Sequence, residues 1–281
     1  MRFVSRAALA VLVFSIALPA KPAMADDPPP AESRLTFADL VDLSDSAPLV
    51  AVVEVTKAVR LDAERSGPVP AGWARLYVEA DTQTLLASQV PIGQELKYLA
   101  DVMLDARGKV PKIKKQQMIL FARPVADRPG ELQLVATDAQ VPAAPDTLVT
   151  VRSILSAKVA ADAPPIVTGV RDVLFTPGNL TGEGETQIFL DTDGGEPASI
   201  TVRRHPGGTP TWGLATGELV MADAGAPAPE TLAWYRLACA LPRTLPTDAH
   251  IAADPVLRRQ AEQDYAHILA DLGPCSRSRS E

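Results

Sequence analysis

The sequence predicts an α+β protein in which most of the regular structure is antiparallel β. Apolar and polar residues alternate along several segments of the first half, most clearly from Trp73 to Leu86 and from Gln94 to Leu104. This period of two is typical of strands with one buried face. Gly, Pro and Asp residues separate the alternating segments and predict turns. Apolar residues recur at helical intervals in four other segments, two of them near the C-terminus.

The first 25 residues predict export. Arg2 and Arg6 precede an apolar run from Ala7 to Leu18, and Ala23-Met24-Ala25 has the small-x-small pattern of a cleavage site. The run is too short to span a membrane, so we exclude it from the fold. We expect a signal peptide over residues 1–25 and a periplasmic or secreted mature chain.

The mature chain is expected to be acidic. The sequence has 27 Lys and Arg against 34 Asp and Glu, and removing Arg2, Arg6 and Lys21 leaves 24 against 34, a net charge of −10. An acidic surface repels polyanions, so nucleic acid is not an expected partner. No later apolar run approaches the roughly 18 residues of a membrane span, so the chain is not expected to cross a membrane.

The N-terminal half begins with a Pro-rich segment, residues 26–34, which predicts a disordered leader. Thr36 to Ser44 predicts a short helix with Thr36 as its cap. Pro48 to Val59 predicts the first core strand. Its odd positions from residue 49 are apolar except Lys57, and its even face turns polar after Val52 with Glu54, Thr56 and Arg60. Burial on both faces at the start and on one face at the end is typical of a closed or partly closed sheet.

Four more strands and a helix complete the predicted N-terminal domain. The strands are Trp73 to Leu86, Gln94 to Leu104, Gln117 to Ala122 and Glu131 to Thr137, and Asp127-Arg128-Pro129-Gly130 predicts a turn before the last of them. Asp146 is expected to cap a helix through Ala160, with Leu148, Val151, Leu155 and Val159 on one stripe. Five strands with a closing helix fit an OB-like β-barrel over residues 35–160, and this order resembles the netrin-like modules of secreted proteins.

Residues 161–275 predict a small antiparallel sheet followed by a pair of helices, after a break at Ala161 to Pro165. Strands are expected at Ile166 to Phe175, Thr186 to Leu190, Ala198 to Arg204 and near Leu219. Asp191-Thr192-Asp193-Gly194-Gly195 predicts a hairpin turn. The same run is similar to part of a calcium loop, but the alignment places Phe189 and Ile200 where oxygen ligands are required. We therefore expect a turn and no metal.

The C-terminal helices are expected to be linked by a disulfide. Pro229 is predicted to start one helix, with Leu232, Tyr235 and Cys239 on one side, and Asp254 to cap another that ends at Gly273-Pro274. The only two cysteines, Cys239 and Cys275, are expected to pair in an oxidising compartment. Residues 276–281 predict a flexible tail.

The whole chain, with its segment Trp-Tyr-Arg-Leu-Ala-Cys-Ala-Leu-Pro from Trp234 to Pro242, is similar to members of an uncharacterised group of exported bacterial proteins. This resemblance implies an extracytoplasmic location and brings no known activity.

Two groups of residues are candidate binding sites. The segment from Arg203 to Glu218 predicts a Gly- and Pro-rich loop whose candidate ligand contacts are Arg203, His205, Trp212 and Glu218. Lys109, Lys112, Lys114 and Lys115, beside Arg107, are candidate contacts for an anionic surface such as lipid headgroups or an acidic glycan. Each group has a plainer alternative, since Trp212 can pack under the loop and the lysines can form a solvated surface.

The sequence carries no recognised catalytic, metal-binding or cofactor-binding motif. His-Glu-x-x-His, Gly-x-Ser-x-Gly and Ser-x-x-Lys are absent, and His205, His250 and His267 are far apart in sequence. We expect no cofactor and a non-catalytic role in binding a cell-envelope component or a protein partner. The alternatives are a hydrolase with its site near His205 and Glu218, and a structural protein of the envelope.

Overall fold

The computed structural model describes residues 35–217 and 225–279, which form an α+β structure with two antiparallel sheets. This confirms the predicted class. In chain order the elements are α1 (Phe37–Ser46), β1 (Leu49–Arg60), α2 (Ala63–Ser66), β2 (Trp73–Ser88), β3 (Glu95–Met103), β4 (Gln117–Pro124), β5 (Leu132–Leu134), β6 (Gln140–Pro142), α3 (Pro145–Lys158), β7 (Val167–Pro177), β8 (Gly184–Thr192), β9 (Ala198–Arg204), β10 (Thr211–Thr216), α4 (Leu232–Ala238), a 3₁₀ turn (Thr247–Ala249) and α5 (Pro255–Leu272).

The first sheet is built around β1, which pairs with β2 along its length and with β4 over its first half. The strand order is β3-β2-β1-β4-β5, and β6 also pairs with β4. Residues 49–53 are buried, and beyond them Val55 is buried beside the exposed Thr56, as the two-sided and then one-sided pattern predicted. Val59 was expected on the apolar face but is 45% exposed, so the buried face ends before it. Three register shifts between β1 and β2 mark bulges. Because bulges bend a strand and increase its twist, β1 can serve both halves of a curved sheet.

The fifth predicted strand is shorter than expected. Strand structure covers Leu132–Leu134 rather than Glu131 to Thr137, because the chain turns where the N–H of Ala139 donates to the carbonyl of Ala136 at 2.9 Å. It then forms β6, which was not predicted. A strand of three residues is too short to show an alternating pattern.

The outer strands of this order, β3 and β5, also approach each other. Lys97 forms a parallel bridge with Glu131, and the N–H of Lys97 donates to the carbonyl of Gly130 at 2.8 Å. Further along, the N–H of Asp101 donates to the carbonyl of Thr137 at 2.7 Å. Between these two contacts the described residues of β3 and β5 share no other bridge. An opening therefore lies between the strands.

The second sheet is a meander in the order β10-β9-β8-β7. The predicted hairpin turn between β8 and β9 is confirmed, since the N–H of Gly195 donates to the carbonyl of Thr192 at 3.2 Å and Gly195 has a φ of 76°. Helix α5 packs on this sheet, and its Asp264 accepts hydrogen bonds from Thr186 and Arg204. The strand predicted near Leu219 lies outside the described residues.

Two predicted helix caps are confirmed. Thr36 and Asp39 form a capping box at the start of α1. At the start of α5, the carboxylate of Asp254 accepts a hydrogen bond from the N–H of Val256 at 2.7 Å. That helix ends at Gly273, whose φ of 70° is accessible to glycine without strain.

The starts of the other two long helices are corrected. Helix α3 has Ala144 rather than Asp146 at its N-cap, because Pro145 occupies the first helical position that proline suits. The helix ends at Lys158 rather than Ala160, so Val159, which was predicted on the apolar stripe, lies beyond the helix and is 84% exposed. Helix α4 begins after Thr231, whose hydroxyl accepts a hydrogen bond from Trp234, rather than at Pro229.

Cys239 and Cys275 form the predicted disulfide, with an S–S distance of 2.04 Å. It joins the C-terminal end of α4 to the residues that follow α5. A single cluster of buried apolar side chains includes residues of both sheets and of α1, α3, α4 and α5. Among the described helices, none has the length and apolar character needed to cross a bilayer.

The C-terminal segments are anchored on α1 by three carboxylates, Asp39, Asp42 and Asp45, which we call the α1 acidic row. Their spacing of three residues places them along one side of the helix. Asp45 bonds to Arg236 at 2.5 Å and to Lys158 at 2.9 Å. Asp42 accepts from Tyr235 and pairs with Arg277 at 2.6 Å. Asp39 accepts from the N–H of Ser278 at 3.0 Å and from its hydroxyl at 2.6 Å.

Candidate functional site

The segment from Arg203 to Glu218 is mainly a β-hairpin, and its prediction as a loop was wrong. Arg203 and Arg204 end β9, and Thr211–Thr216 form β10. The Gly and Pro residues mark only the turn between these strands, whereas the residues after Pro210 pair with β9. Glu218 lies outside the described residues.

The hairpin does not bring the candidate ligand contacts together. Trp212 is buried, stands opposite Val202 in the sheet, and donates its indole N–H to Asp271 of α5 at 2.9 Å. Arg203, one residue after Val202, points to the opposite face and pairs with Glu185 at 3.4 Å. His205 is exposed in the turn. The described residues of this candidate site are therefore dispersed over two faces and a turn.

The lysine cluster lies elsewhere, in the connection between β3 and β4 of the first sheet. Lys109, Lys112, Lys114 and Lys115 are all exposed. Ile113, in their midst, is buried and fixes the connection to the core. The cluster therefore forms a solvent-facing charged surface.

A polar cavity of about 440 Å³ lies beside α5, between Arg204, Gln260 and the β7–β8 turn. The charged side chains that line this cavity already bond to other groups of the fold. Arg204 pairs with the fully buried Asp264 at 2.5 Å. The carboxylate of Glu183 accepts hydrogen bonds from the N–H groups of Asn179 and Leu180 at 3.1 and 3.2 Å. These bonds stabilise the turn and the packing of α5, which is a structural role.

The opening between β3 and β5 is a cleft of about 480 Å³, which we call the β3–β5 cleft. Tyr77 and Leu99 line one side, at paired positions of β2 and β3. Val125 and Gln133 line the other side. The buried side chains of Tyr98, Leu132 and Leu134 also contribute to the lining. The cleft is therefore largely apolar.

The backbone of β3 adds polar groups to this cleft. The N–H groups of Lys97 and Asp101 both donate away from β2, to Gly130 and Thr137. In an antiparallel ladder, residues two apart direct their N–H and C=O groups to the same edge. Leu99 lies midway between them, so its N–H and C=O also face the cleft.

Charged groups of both signs stand near the ends of the cleft. Near one end, Arg75 forms a bidentate pair with Asp101 at 2.7 and 2.8 Å, and the hydrogen bond from Arg75 lowers the pKa of Asp101. Near the other end, Lys97 and Glu131 stand side by side in the parallel bridge. Because each end carries both signs, the cleft favours a ligand without net charge.

The lining of the β3–β5 cleft has few side chains that could act as nucleophiles. It contains no Ser, Cys or His, and its hydroxyl groups belong to Thr137 and two tyrosines. Burial raises the pKa of Tyr98, which stays protonated and donates to Gln140 at 2.6 Å. Within residues 35–217 and 225–279, no group of three or more His, Cys, Asp or Glu could hold a metal ion.

No family model and no curated protein matches this sequence.

Sequence reasoning did not identify the residues of this cleft, although a signal was present. Leu99 occupies a position of β3 that the alternation directs outward, and it is 46% exposed. Its neighbour Tyr77 is likewise an outward residue of β2. Large apolar or aromatic side chains at outward positions of two paired strands indicate a surface that a partner can cover.

Proposed function

We propose that this chain is an exported, non-catalytic binding protein and that the β3–β5 cleft takes an extended segment of a protein partner. The observation that carries the proposal is the cleft itself, in which apolar side chains surround backbone groups of an incompletely paired strand. Export is supported by the N-terminal signal pattern and by the disulfide, which is typical of oxidising compartments.

We propose further that the first sheet is an OB-like barrel, with the cleft at the point where it closes. The support is the strand order together with the parallel contact between β3 and β5 at Lys97 and Glu131. A five-stranded, partly open barrel of this class binds its ligands on the outer face of its second and third strands. Tyr77 and Leu99 stand on that face here.

A protein segment suits this cleft better than a single-stranded nucleic acid. The rim has one partly exposed aromatic ring, Tyr77, whereas single-stranded nucleic acids use successive stacking rings. An extended peptide can bond its main chain to the N–H and C=O of Leu99 and place an apolar side chain against Leu132 and Val125. This is the combination by which strand-like peptides are recognised.

The hydrolase alternative has less support. His205 is exposed, and Trp212 is committed to packing and to Asp271. A screen with ester, peptide and glycoside substrates tests it directly. Turnover that His205→Ala abolishes would replace the binding proposal with the hydrolase.

Site-specific photo-crosslinking in the native host tests the binding proposal. The photoreactive residue p-benzoylphenylalanine replaces Gln133, which is exposed at the rim of the cleft. The matched control places it at Val149, an apolar residue of α3 that is 67% exposed. We expect a discrete protein adduct from position 133 and none of that mass from position 149.

A second substitution ties the adduct to the cleft. Leu99→Asp places a charge among apolar walls, and we expect it to remove the adduct from position 133 while the protein stays folded. An adduct that survives Leu99→Asp, identical adducts from positions 133 and 149, or no protein adduct from either position would contradict the proposal.

A further inference from the structure

Two loops meet at one end of the first sheet. The N–H of Leu104, where the β3–β4 connection begins, donates to the carbonyl of Gly72, which ends the β1–β2 connection, at 2.8 Å. At the other end of the β3–β4 connection, the N–H of Lys115 donates to the carbonyl of Val55 in β1 at 2.7 Å. Both connections are thus held beside the second half of β1 and the start of β2.

These loops concentrate positive charge on an acidic protein. Residues 60–67 and 104–116 contain seven cations and three acidic residues, a local net charge of +4. The cations, which we call the cationic end, are Arg60, Arg65, Arg107, Lys109, Lys112, Lys114 and Lys115. With the predicted signal peptide removed, the whole chain carries −10, so the remainder carries −14. The cationic end therefore carries a net charge opposite in sign to that of the rest of the mature chain.

The charged side chains of the cationic end have no ion-pair partner among the described residues. All seven cations are exposed, and none appears in the ion pairs formed by residues 35–217 and 225–279. One carboxylate oxygen of the nearby Asp105 accepts hydrogen bonds from the backbone N–H groups of Arg107 and Lys109, at 2.9 and 2.8 Å. The side-chain charges remain available to an external anion.

Apolar and aromatic side chains lie directly beside these charges. Trp73 pairs with Met103 where β2 begins and β3 ends, and Met103 is 59% exposed. Val59, which precedes Arg60, is 45% exposed. Cations next to tryptophan and exposed aliphatic groups are the combination by which proteins bind the interfacial region of a bilayer.

We propose that the cationic end docks this protein on a membrane surface that carries anionic lipid headgroups. Lysine predominates in the β3–β4 connection, and its compact charge suits a diffuse anionic surface rather than bidentate recognition of one ligand. No aromatic residue is interleaved between the lysines, so single-stranded nucleic acid has no stacking platform. The exposed Met103 and Val59 favour a bilayer over a polysaccharide, because only the bilayer offers an apolar layer beneath its charges. This proposal rests on residues other than those that line the β3–β5 cleft, although Val59 pairs with Tyr77 of the cleft wall.

Vesicle binding by the mature chain, residues 26–281, tests the proposal. The probes are phosphatidylcholine vesicles with and without phosphatidylglycerol, each at low and at about 0.15 M ionic strength. We expect binding only with phosphatidylglycerol and weaker binding at the higher salt. Each basic residue near an anionic surface contributes about fivefold to partitioning, so Lys109→Gln, Lys112→Gln, Lys114→Gln and Lys115→Gln together should weaken binding by more than ~100-fold.

A matched control separates the position of the charges from their number. Arg123, Arg152, Arg243 and Arg259 are exposed cations outside the cationic end. Changing all four to Gln alters the net charge by the same amount, and we expect vesicle binding to fall by less than about tenfold, since these charges are distant from the docked surface. Equal losses in the two quadruple variants would overturn the proposal.

Tryptophan fluorescence reports the apolar contact. Trp212 and Trp234 are buried, whereas Trp73 is partly exposed. We expect a blue shift of the emission with anionic vesicles, which Trp73→Phe removes and Met103→Ser reduces. Binding to neutral vesicles with the same affinity, or binding to heparin without binding to anionic vesicles, would contradict a membrane partner.

Discussion

The α1 acidic row and the cationic end use charged side chains in opposite ways. Asp39, Asp42 and Asp45 all bond to groups that lie far away in sequence. The lysines of the cationic end are exposed and have no ion-pair partner among the described residues. Charges with internal partners hold segments of the fold together, whereas charges without them can serve an external partner at little cost to stability.

Removal of the disulfide should have the largest effect on the acidic row. Cys239→Ala with Cys275→Ala releases a closed loop with a sequence separation of 36 and frees the tail that bonds to α1. In the chain-entropy description this lowers the free energy of unfolding by roughly 3 to 4 kcal/mol. Urea unfolding measures the loss, and wild-type protein with its disulfide reduced should show the same value. A loss below about 1 kcal/mol would mean that the row holds the tail without the covalent link.

Loss of a single member of the row comes next. Arg236 is 7% exposed, and its Nε already has no hydrogen-bond partner within the described structure. Asp45→Ala leaves its buried charge uncompensated, which should cost about 2 to 3 kcal/mol of unfolding free energy by urea titration.

The matched control for this change is the exposed pair of Arg171 and Asp172, whose side chains are 58% and 41% exposed. Asp172→Ala should cost less than about 0.5 kcal/mol, because solvent screens exposed pairs. Similar losses from Asp45→Ala and Asp172→Ala would remove the distinction between anchoring and solvated charges.

Acid should weaken the row before it affects the cationic end. Burial raises the pKa of Asp39, but hydrogen bonds from Ser278 and Thr36 outweigh it, so the pKa lies below the ordinary 3.8. Burial also raises the pKa of Asp45, but the interactions with Arg236 and Lys158 outweigh this effect. The pKa of Asp45 therefore also lies below 3.8. Carboxylates with depressed pKa values stabilise the fold fully above their unfolded pKa, and this contribution is lost as the pH falls through the folded pKa.

The free energy of unfolding should therefore decline as the pH falls from about 5 to 3. Asp39→Asn removes one of the titrating groups and should flatten that decline. Urea titrations at several pH values measure the slope. An unchanged slope in Asp39→Asn would show that Asp39 titrates alike in the folded and unfolded chain.

Local patterns predicted the part of the fold that depends on neighbours in sequence. The alternation of apolar and polar residues located β2 and β3 almost to their ends. The capping residues Thr36 and Asp254 correctly predicted the starts of α1 and α5. The β10 strand was missed because Gly and Pro residues just before it suggested a continuing loop. A pattern reports which face of a segment is buried, but it does not report what covers that face.

The sites depend on contacts that no local pattern contains. The spacing of Asp39, Asp42 and Asp45 shows one acidic side of a helix, yet Arg236 and Ser278 lie 191 and 239 residues from their partners in the row. The β3–β5 cleft likewise arises from where two distant strands separate. The lysines could be recognised as a cluster because they are neighbours in the chain, whereas their proximity to Met103 and Trp73 required the structure.

Neutralising the lysines should have the smallest effect on stability. Lys109→Gln, Lys112→Gln, Lys114→Gln and Lys115→Gln remove exposed charges that repel one another, so the free energy of unfolding should change by less than about 0.5 kcal/mol. Any change should be a gain at low ionic strength, and it should vanish in high salt, where repulsion between exposed charges is screened. Urea titrations of the quadruple variant at the two ionic strengths measure this. A loss above about 1 kcal/mol would show that these lysines hold the fold, as the acidic row does, because surface charges without structural partners do not cost that much to remove.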